Sequence, residues 1–319
     1  MKILITGITG FAGSFLAEHL LELGHDVSGT YLSDDSLVNV ESIKDKITVE
    51  KVNLLEEEKV ENYIKKIHPD GIIHLAALTS PAQSFQNPKE FFHNNIDSEI
   101  TILEAVRKNS IACRILVISS SEMYGLVRKE DIPIDEDTSL FPSSPYAVSK
   151  IAQDYLAYQY YRSYDMNILR IRPFNHIGPR QSPHFVVSSF AKQIAELEKK
   201  EGEKKLTVGN LSAFRDFTDV RDMVKAYALL FEKGKAGEIY NIGRGQSYQI
   251  SDILNKLLSL AATEIEWEQD PKLLRPSDIP NIVCDNRKVR NLTGWEPKIP
   301  IEQSLKDTLD YWRNIVYNN

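Results

Sequence analysis

A tyrosine and a lysine in the segment SPYAVSK have the residue types and spacing to assist hydride transfer at a carbonyl. Tyr146 and Lys150 stand four positions apart, so in a helix they share one face. The phenol of tyrosine titrates near about 10, and a nearby ammonium together with a positively charged nicotinamide lowers that pKa. Such pairs also occur as ordinary helix-surface residues, so the assignment depends on the surrounding motifs. We expect Tyr146 to exchange a proton with a substrate oxygen that Ser120 also contacts.

A carboxylate in the segment ISSSEMYG has two possible roles. Glu122 follows three serines and precedes Tyr124. As a base it could remove a proton from carbon, which the dehydration of a sugar requires. As an acceptor it could hold a sugar hydroxyl during a reduction. The residue type fits both reactions.

A glycine-rich turn, ITGITGFAG, follows the first apolar run. Gly7, Gly10 and Gly13 permit a tight turn, close approach to a pyrophosphate and close packing of helix on strand. The N-terminus of the helix that follows favours negative charge. Three glycines can be purely structural, but their place directly after the first strand predicts a bound dinucleotide.

The end of the second predicted strand leaves the choice of dinucleotide open. NAD commonly meets an acid there, whereas this chain has Thr30, Tyr31 and Leu32. Ser33 could donate to the 2′-phosphate of NADP, and the two aspartates that follow could fold back to a ribose diol. We favour NADP and leave NAD open.

Strand and helix patterns alternate through residues 1–176. Strands are predicted in KILIT, DVSGTYL, KITVEKVNL, GIIHLAA, RILVISSS and MNILRIRPFN. Helices are predicted in FAGSFLAEHLLELG, EEEKVENYIKKIHP, EFFHNNIDSEITILEAVRKNS and SPYAVSKIAQDYLAYQYYRSY. This order predicts an α/β fold of the Rossmann type, a doubly wound parallel sheet with helices on both faces.

The alternation loosens beyond residue 176, which predicts a smaller C-terminal α/β lobe. FVVSSFAKQIAELEKKEGEKK and IEQSLKDTLDYWRNIV predict helices, LTVGNLSAFRDFTDVRD a strand, a loop and a short turn, and EIYNIG a returning strand. We predict a dinucleotide-binding domain over 1–176, joined by parts of 210–250, and a mainly substrate-binding lobe over 177–319.

Composition excludes several classes of function. The chain has 319 residues and a formal net charge of −7, so it offers a nucleic-acid backbone little attraction. Cys113 and Cys284 have no metal-binding spacing and are expected to be buried thiols. No segment has the ~20 apolar residues that cross a membrane. We expect a cytoplasmic protein without a metal, whose anionic substrate is held by arginines and helix N-termini.

The motifs in combination resemble those of the extended short-chain dehydrogenase/reductases that act on nucleotide sugars. The resemblance spans essentially the whole chain through TGITGFAG, HLAA, Asn95, SSSEMYG, YAVSK, RPFNHIGP and GWEP. It implies that Ser120, Glu122, Tyr146 and Lys150 are catalytic. The implied cofactor contacts are Gly7, Gly10, Phe11, Ala12, Gly13, Tyr31, Leu32, Asn53, Leu54, Leu75, Ala76, Ala77, Asn95, Ser119, Tyr146, Lys150 and Pro173. The implied nucleotide-sugar contacts are Thr79, Ser121, Asn175, Lys192, Val208, Asn210, Arg215 and Arg275.

Some of these positions depart from the family pattern or have a simpler interpretation. Asn53 stands where an aspartate is common, and Tyr31 and Leu32 stand where NADP-using relatives often carry a cation. Arg215 could form a surface ion pair with the aspartate that follows it, and Asn175 could cap a loop. His176 could be an acid or base, but a structural histidine is the simpler interpretation.

Three segments, FNHIGPRQ, VGNLSAFRDFTDVRD and LRPSDIP, favour one branch of the family. That branch reduces the C4 keto group of GDP-4-keto-6-deoxy-D-mannose, giving GDP-D-rhamnose or its talose epimer. The alternative is the 4,6-dehydration of GDP-mannose, and a more remote one is a dinucleotide sensor without enzyme activity. Sensors tend to lose the tyrosine and lysine that this chain keeps. The aromatic stretch DYLAYQYY predicts helix packing or a homodimer interface.

Overall fold

The computed structural model describes residues 1–274 and 279–318. Arg275, one of the expected substrate contacts, lies outside the described residues. The strands are, in chain order, β1 Lys2–Thr6, β2 Asp26–Tyr31, β3 Ile47–Lys51, β4 Gly71–His74, β5 Arg114–Ile118, β6 Ile168–Pro173, β7 Asn175–Ile177, β8 Lys205–Val208, β9 Phe214–Asp219, β10 Ile239–Ile242, β11 Ser247–Gln249 and β12 Glu266–Gln269. The α-helices are α1 Phe11–Glu22, α2 Glu57–Ile67, α3 Pro81–Gln86, α4 Pro88–Phe92, α5 Ser98–Lys108, α6 Pro145–Tyr164, α7 Val186–Lys199, α8 Val220–Lys233, α9 Ile250–Ser259, α10 Arg287–Thr293 and α11 Ile301–Asn318.

Seven strands form one sheet in the order β10-β6-β5-β4-β1-β2-β3. Every pair in this sheet is parallel. The predicted Rossmann-type fold is therefore confirmed. The chain runs outward from β1 through β2 to β3 and then returns to β4 on the other side of β1. Such a reversal opens a crevice at the carboxyl ends of β1 and β4, and the glycine-rich turn follows β1 there.

Helices cover both faces of the sheet, and β1 shows how the sequence divides its side chains between them. Ile3 and Ile5 pack with α1 and α8 on one face. Leu4 packs with α2 and α5 on the other. Successive side chains of a strand point to opposite faces, so a strand buried on both sides is apolar throughout. This explains the uninterrupted apolar run in KILIT.

The sequence prediction is wrong for the segment that follows FRDFTD. We expected a short turn there, but α8 is a helix of 14 residues. Asp219 caps its first turn, because its carboxylate accepts from the backbone N–H of Arg221 at 2.8 Å. The inner face of α8, which includes Tyr227 and Leu230, packs against the sheet.

The C-terminal part of the chain has its own apolar cluster. Helices α7, α9 and α11 surround it, and the indole N–H of Trp312 on α11 donates to Ser188 on α7 at 2.8 Å. Two small sheets, β11-β9-β7 and β12-β8, lie in this part. Strand β10 instead pairs with β6 in the main sheet. The proposed boundary between two domains stays a prediction.

Among the residues described, no helix has the length and apolar character needed to cross a bilayer. Within the same ranges, no group of three or more His, Cys, Asp or Glu side chains is arranged to hold a metal ion.

Candidate active site

The turn between β1 and α1 is shaped to admit a phosphate. Gly7 adopts φ +70°, a left-handed conformation that glycine takes at no steric cost. A Cβ on Gly13 would lie 2.2 Å from the carbonyl oxygen of Gly7, so a larger residue cannot fit there. Gly10 precedes α1 and supplies no side-chain cap to the N–H groups of its first turn. These N–H groups are therefore available to an anion such as the pyrophosphate of a dinucleotide.

Two polar side chains fix the loop that follows β4 against this turn. The hydroxyl of Thr6 accepts from the backbone N–H of Ala76 at 3.2 Å. Asn95, in the π-helical turn His93–Asp97, exchanges hydrogen bonds with the backbone of Leu78 and donates to Ser149 on α6 at 3.0 Å. Asn95 thus acts as a clamp between this loop and α6.

A cation that sequence reasoning missed lies where β2 and β3 end. Lys51 ends β3 in register with Tyr31 at the end of β2, and its ammonium lies 2.6 Å from Asp34. The exposed fraction of Leu32 is 63%. The side-chain oxygen of Asn53 accepts a hydrogen bond from the backbone N–H two residues further along the chain, and Leu54 is buried. The pairing of β2 with β3, which brings Lys51 into place, has no local signal in the sequence.

The other expected cofactor contacts lie around the same edge of the sheet. Phe11 and Ala12 begin α1, Leu75 and Ala77 follow β4, and Pro173 ends β6.

The structure brings Ser120, Glu122 and Tyr146 together. Tyr146 lies in the first turn of α6, where Ser144 caps the helix by accepting from the N–H of Ala147 at 3.1 Å. Ser120 and Tyr146 are both buried. Burial raises the pKa of the Tyr146 phenol, the hydrogen bond with Ser120 opposes this shift, and the charge of Glu122 adds to it. The phenol is therefore protonated at neutral pH.

Lys150 lies one turn further along α6 and is also buried. Its ammonium donates to the carbonyl oxygen of Ile118, the last residue of β5, at 2.9 Å. We expected this ammonium to make the neighbouring phenol acidic. In the chain by itself burial outweighs any such effect, and the pKa of Tyr146 is raised.

The serines that surround Ser120 have different roles. Ser120 accepts from the backbone N–H of Glu122 at 3.2 Å, which holds the short helical turn that carries the carboxylate. Ser119 points the other way and donates to Asp154 at 3.1 Å. Ser121 is buried. One hydroxyl of the three thus reaches Tyr146.

Asn175 and His176 lie in β7, beside the glycine-rich turn. The amide oxygen of Asn175 is buried and has no hydrogen-bond partner among the residues described. Such an acceptor is costly unless a ligand or water satisfies it. The ring of His176 stacks on Phe11, with centroids 5.6 Å apart, and donates to the carbonyl of Phe174. Burial lowers the pKa of His176, which fits the structural interpretation.

Arg215 lies buried in β9. Its guanidinium donates to the carbonyl oxygens of Phe214 at 2.8 Å and Ile279 at 2.6 Å. Asp216, the proposed ion-pair partner, accepts instead from backbone N–H groups, including that of Gly245 at 2.8 Å. Arg215 is thus held between β9 and the segment that follows residues 275–278.

The last four expected substrate contacts have varied settings. The ammonium of Lys192 lies over the ring of Trp312, 5.6 Å from its centroid. Val208 is fully buried in the C-terminal apolar cluster, so only its backbone could contact a substrate. Asn210 accepts two hydrogen bonds within its own turn. Thr79 is exposed on the loop that Asn95 clamps.

Comparison with known proteins places this site in a family. A family described as GDP-mannose 4,6 dehydratase matches residues 4–308. A GDP-6-deoxy-D-mannose reductase from Pseudomonas aeruginosa is 36% identical over 78% of this chain and 82% of its own length. A GDP-mannose 4,6-dehydratase from Yersinia enterocolitica is 28% identical over 95% of this chain and 91% of its own.

Solved structures agree with this placement. The structure of RMD from Pseudomonas aeruginosa with NADPH superposes with a TM-score of 0.85 at 31% identity, covering 98% of this chain and 99% of the other. A UDP-glucose 4-epimerase from Thermus thermophilus with NAD gives a TM-score of 0.86 at 27% identity, over 98% and 99% of the two chains. The resemblance to extended short-chain dehydrogenase/reductases is thus confirmed, and the chain belongs to the GDP-mannose 4,6 dehydratase family.

Proposed function

We propose that the protein reduces the C4 keto group of a GDP-linked 4-keto-6-deoxy sugar, with NADPH or NADH as the reductant. The observation that carries this proposal is the buried, protonated phenol of Tyr146 bonded to Ser120. Reduction of a ketone needs a proton donor at the carbonyl oxygen, and this phenol is one. The relative named as a reductase supports the substrate class.

The residues around the crevice fit a nicotinamide dinucleotide. The uncapped first turn of α1 suits its pyrophosphate, and the space beside Gly13 excludes any larger side chain. Lys51 could meet the 2′-phosphate of NADP, and NADPH is the ligand in the structure of RMD. We therefore favour NADP over NAD. The dinucleotide, when bound, supplies the hydride.

The chain's own residues handle the proton. As negative charge develops on the C4 oxygen, Tyr146 donates its proton to it and Ser120 donates a second hydrogen bond. The phenolate that remains needs a cation. An ammonium has three donors, and Lys150 uses one on Ile118, so two remain to stabilise the phenolate and hold the ribose. Glu122 accepts from a neighbouring sugar hydroxyl.

The same carboxylate supports a second candidate, the dehydration of GDP-mannose. Glu122 is half-buried, and its charge acts directly on Tyr146. A base in that place could remove the C5 proton of an oxidised sugar. The two reactions differ in their use of the cofactor, because a dehydratase regenerates it in each cycle.

The test offers GDP-mannose and GDP-4-keto-6-deoxy-D-mannose separately, with NADPH. The proposal predicts that one NADPH is oxidised for each molecule of the keto sugar reduced, with no turnover of GDP-mannose. Conversion of GDP-mannose without net cofactor use would instead establish the dehydratase.

We infer further that the protein is a homodimer that pairs through α6. Val148, Tyr155 and Tyr158 lie on one face of this helix and are 39%, 55% and 40% exposed. Exposed apolar and aromatic side chains that cluster on one helix face often mark an interface. A cytoplasmic location stays a prediction of the sequence.

A further inference from the structure

A buried glutamate behind the catalytic lysine has no role in the reaction as described so far. Glu99 lies in the first turn of α5 and is 1% exposed. Neither oxygen of its carboxyl group has a hydrogen bond of normal geometry among the residues described, although the nearby amide of Gln153 on α6 acts against the rise in pKa that burial causes. Burying a carboxyl group without donors is costly, so a residue of this kind needs an explanation.

The charged groups around Glu99 come from α6 and from the strands beneath it. Burial raises the pKa of Glu99 well above its ordinary value, the charge of Lys150 on α6 opposes this shift, and the charge of Asp154 on α6 adds to it. Asp154 already has partners, because it accepts from Arg170 at 2.9 Å and from Arg172 at 3.1 Å on β6. Its charge is thus balanced by two guanidinium groups.

His74, at the end of β4, is a further titratable neighbour of the lysine. Its ring bonds the hydroxyl of Thr6 at 2.8 Å and is fully buried. Burial lowers the pKa of His74 to about 3, and the charge of Lys150 adds to this effect, so the ring is neutral. Among the residues described, Glu99 is therefore the carboxyl group that remains to balance the charge of Lys150.

We propose that Glu99 is the counter-charge of Lys150, a positioning residue that keeps the lysine an ammonium inside the closed site. It acts through Lys150 and touches neither sugar nor cofactor. A buried ammonium without an opposite charge would lose its proton, whereas an ion pair in the interior can retain both charges. The proposal rests on the proposed function, because Lys150 must be cationic when Tyr146 becomes a phenolate.

The proposal fixes the direction of a pH effect. The negative charge of Glu99 raises the pKa of Lys150, against the lowering that burial causes. Activity falls on the basic side of the profile when Lys150 loses its proton. Removal of the glutamate charge lowers that pKa further. The basic limb of kcat should therefore move to lower pH, by about one to three units for a nearby buried charge.

The first experiment measures kcat against pH for Glu99→Gln, which is nearly isosteric, with NADPH and the keto sugar. We expect the basic limb to shift to lower pH while KM changes little. Glu99→Asp keeps the charge, so its basic limb should lie within a fraction of a pH unit of that of the wild-type protein. Glu104→Gln is the matched control on the same helix, because Glu104 pairs with Arg107 at 2.7 Å. An unshifted limb in Glu99→Gln would overturn the proposal.

A second measurement does not need turnover. The Cε signal of Lys150 in protein with labelled lysine, assigned by its loss in Lys150→Met, reports the protonation of the ammonium directly. The midpoint of its titration should fall in Glu99→Gln and stay in place in Glu104→Gln. An unchanged midpoint in Glu99→Gln would refute the counter-charge even if the enzyme reduced the sugar. A lowered midpoint in a protein with no reductase activity would refute the proposed function alone.

Discussion

In the proposed reaction we assign Tyr146 the role of a proton donor rather than that of a base. The phenol is buried, and the adjacent charge of Glu122 also disfavours a phenolate. Both effects suit a general acid, which must begin the reaction protonated. In that mechanism Lys150, one turn further along α6, acts after the proton has been transferred, when it stabilises the phenolate. This order of events is the one that the proposed mechanism requires.

Tyr146→Phe should lower kcat by about 10²–10⁴-fold, because it removes the acid and leaves the shape of the pocket. The affinity for NADPH should change little, since the phosphate-binding turn is untouched. Single-turnover rates and NADPH fluorescence titration measure the two quantities separately. An unchanged kcat would remove the phenol from the mechanism.

Sequence reasoning anticipated some of these residues and missed others, for a physical reason. Tyr146, Lys150 and the glycines have spacings set by one helix or one turn, and such local geometry is legible in the sequence. The roles of Lys51 and Glu99, in contrast, depend on strand register and on burial, which the local sequence does not show. Lys51 stands opposite Tyr31 only because β3 pairs with β2, and Glu99 is one acid among many until α5 is packed.

At the scale of elements, we expect the turn into α1 to set the affinity for the cofactor. Gly13→Ala would place a methyl group against the carbonyl of Gly7 and displace the turn. We expect the Kd for NADPH to rise about tenfold or more, which corresponds to about 1.4 kcal/mol. Calorimetric titration measures this change.

Gly24→Ala is the control for that change. Gly24 has φ +78° and no neighbour within 4 Å of a new Cβ, so alanine there strains the backbone without a clash. It should lower stability by about 1 kcal/mol and leave the Kd for NADPH unchanged. Equal losses of affinity in both variants would contradict the role given to the turn.

Helix α8 joins the main sheet to the segment GWEP. The carboxylate of Asp222 accepts from the backbone N–H groups of Lys298 and Ile299, each at 2.7 Å. Its backbone oxygen accepts from the indole of Trp295 at 2.9 Å. The motif GWEP and the residues after it are thus hydrogen-bonded to α8, a helix that the sequence pattern did not predict. We call this set of hydrogen bonds the latch.

Asp222→Ala would leave those two N–H groups without their acceptor. The free energy of unfolding should fall by about 2 kcal/mol or more, since a hydrogen bond to a charged group contributes about 1.5–3 kcal/mol. Urea denaturation checks the loss. Asp252→Ala, at an exposed position in the first turn of α9, should cost much less. Similar losses in the two variants would argue against the latch.

For the whole molecule, the parallel sheet was the most predictable feature. Apolar strands alternate with helices in the first 176 residues, and a parallel sheet covered by helices buries such strands on both faces. Helix α8 escaped prediction because its first residues continue the polar pattern of FRDFTD. The contacts that join the C-terminal cluster to the sheet link residues far apart in sequence, which no local pattern encodes.

Pairing through α6 is testable on the intact chain. Tyr155→Glu would place a charge in the center of the exposed face and should convert a dimer into a monomer of 36.3 kDa. Sedimentation equilibrium measures the mass. Glu61→Gln on α2 is a control that should leave the mass unchanged. A wild-type protein that is already monomeric would contradict the inferred dimer.

The most direct test of the central claim follows the hydride to its carbon. The protein is given NADPH deuterated at the transferred position together with GDP-4-keto-6-deoxy-D-mannose, and the product is examined by NMR. The account predicts deuterium at C4 of the reduced sugar, and little or no reduced sugar from Tyr146→Phe over the same interval. A keto sugar recovered unreduced, or a reduced sugar without deuterium at C4, would contradict it.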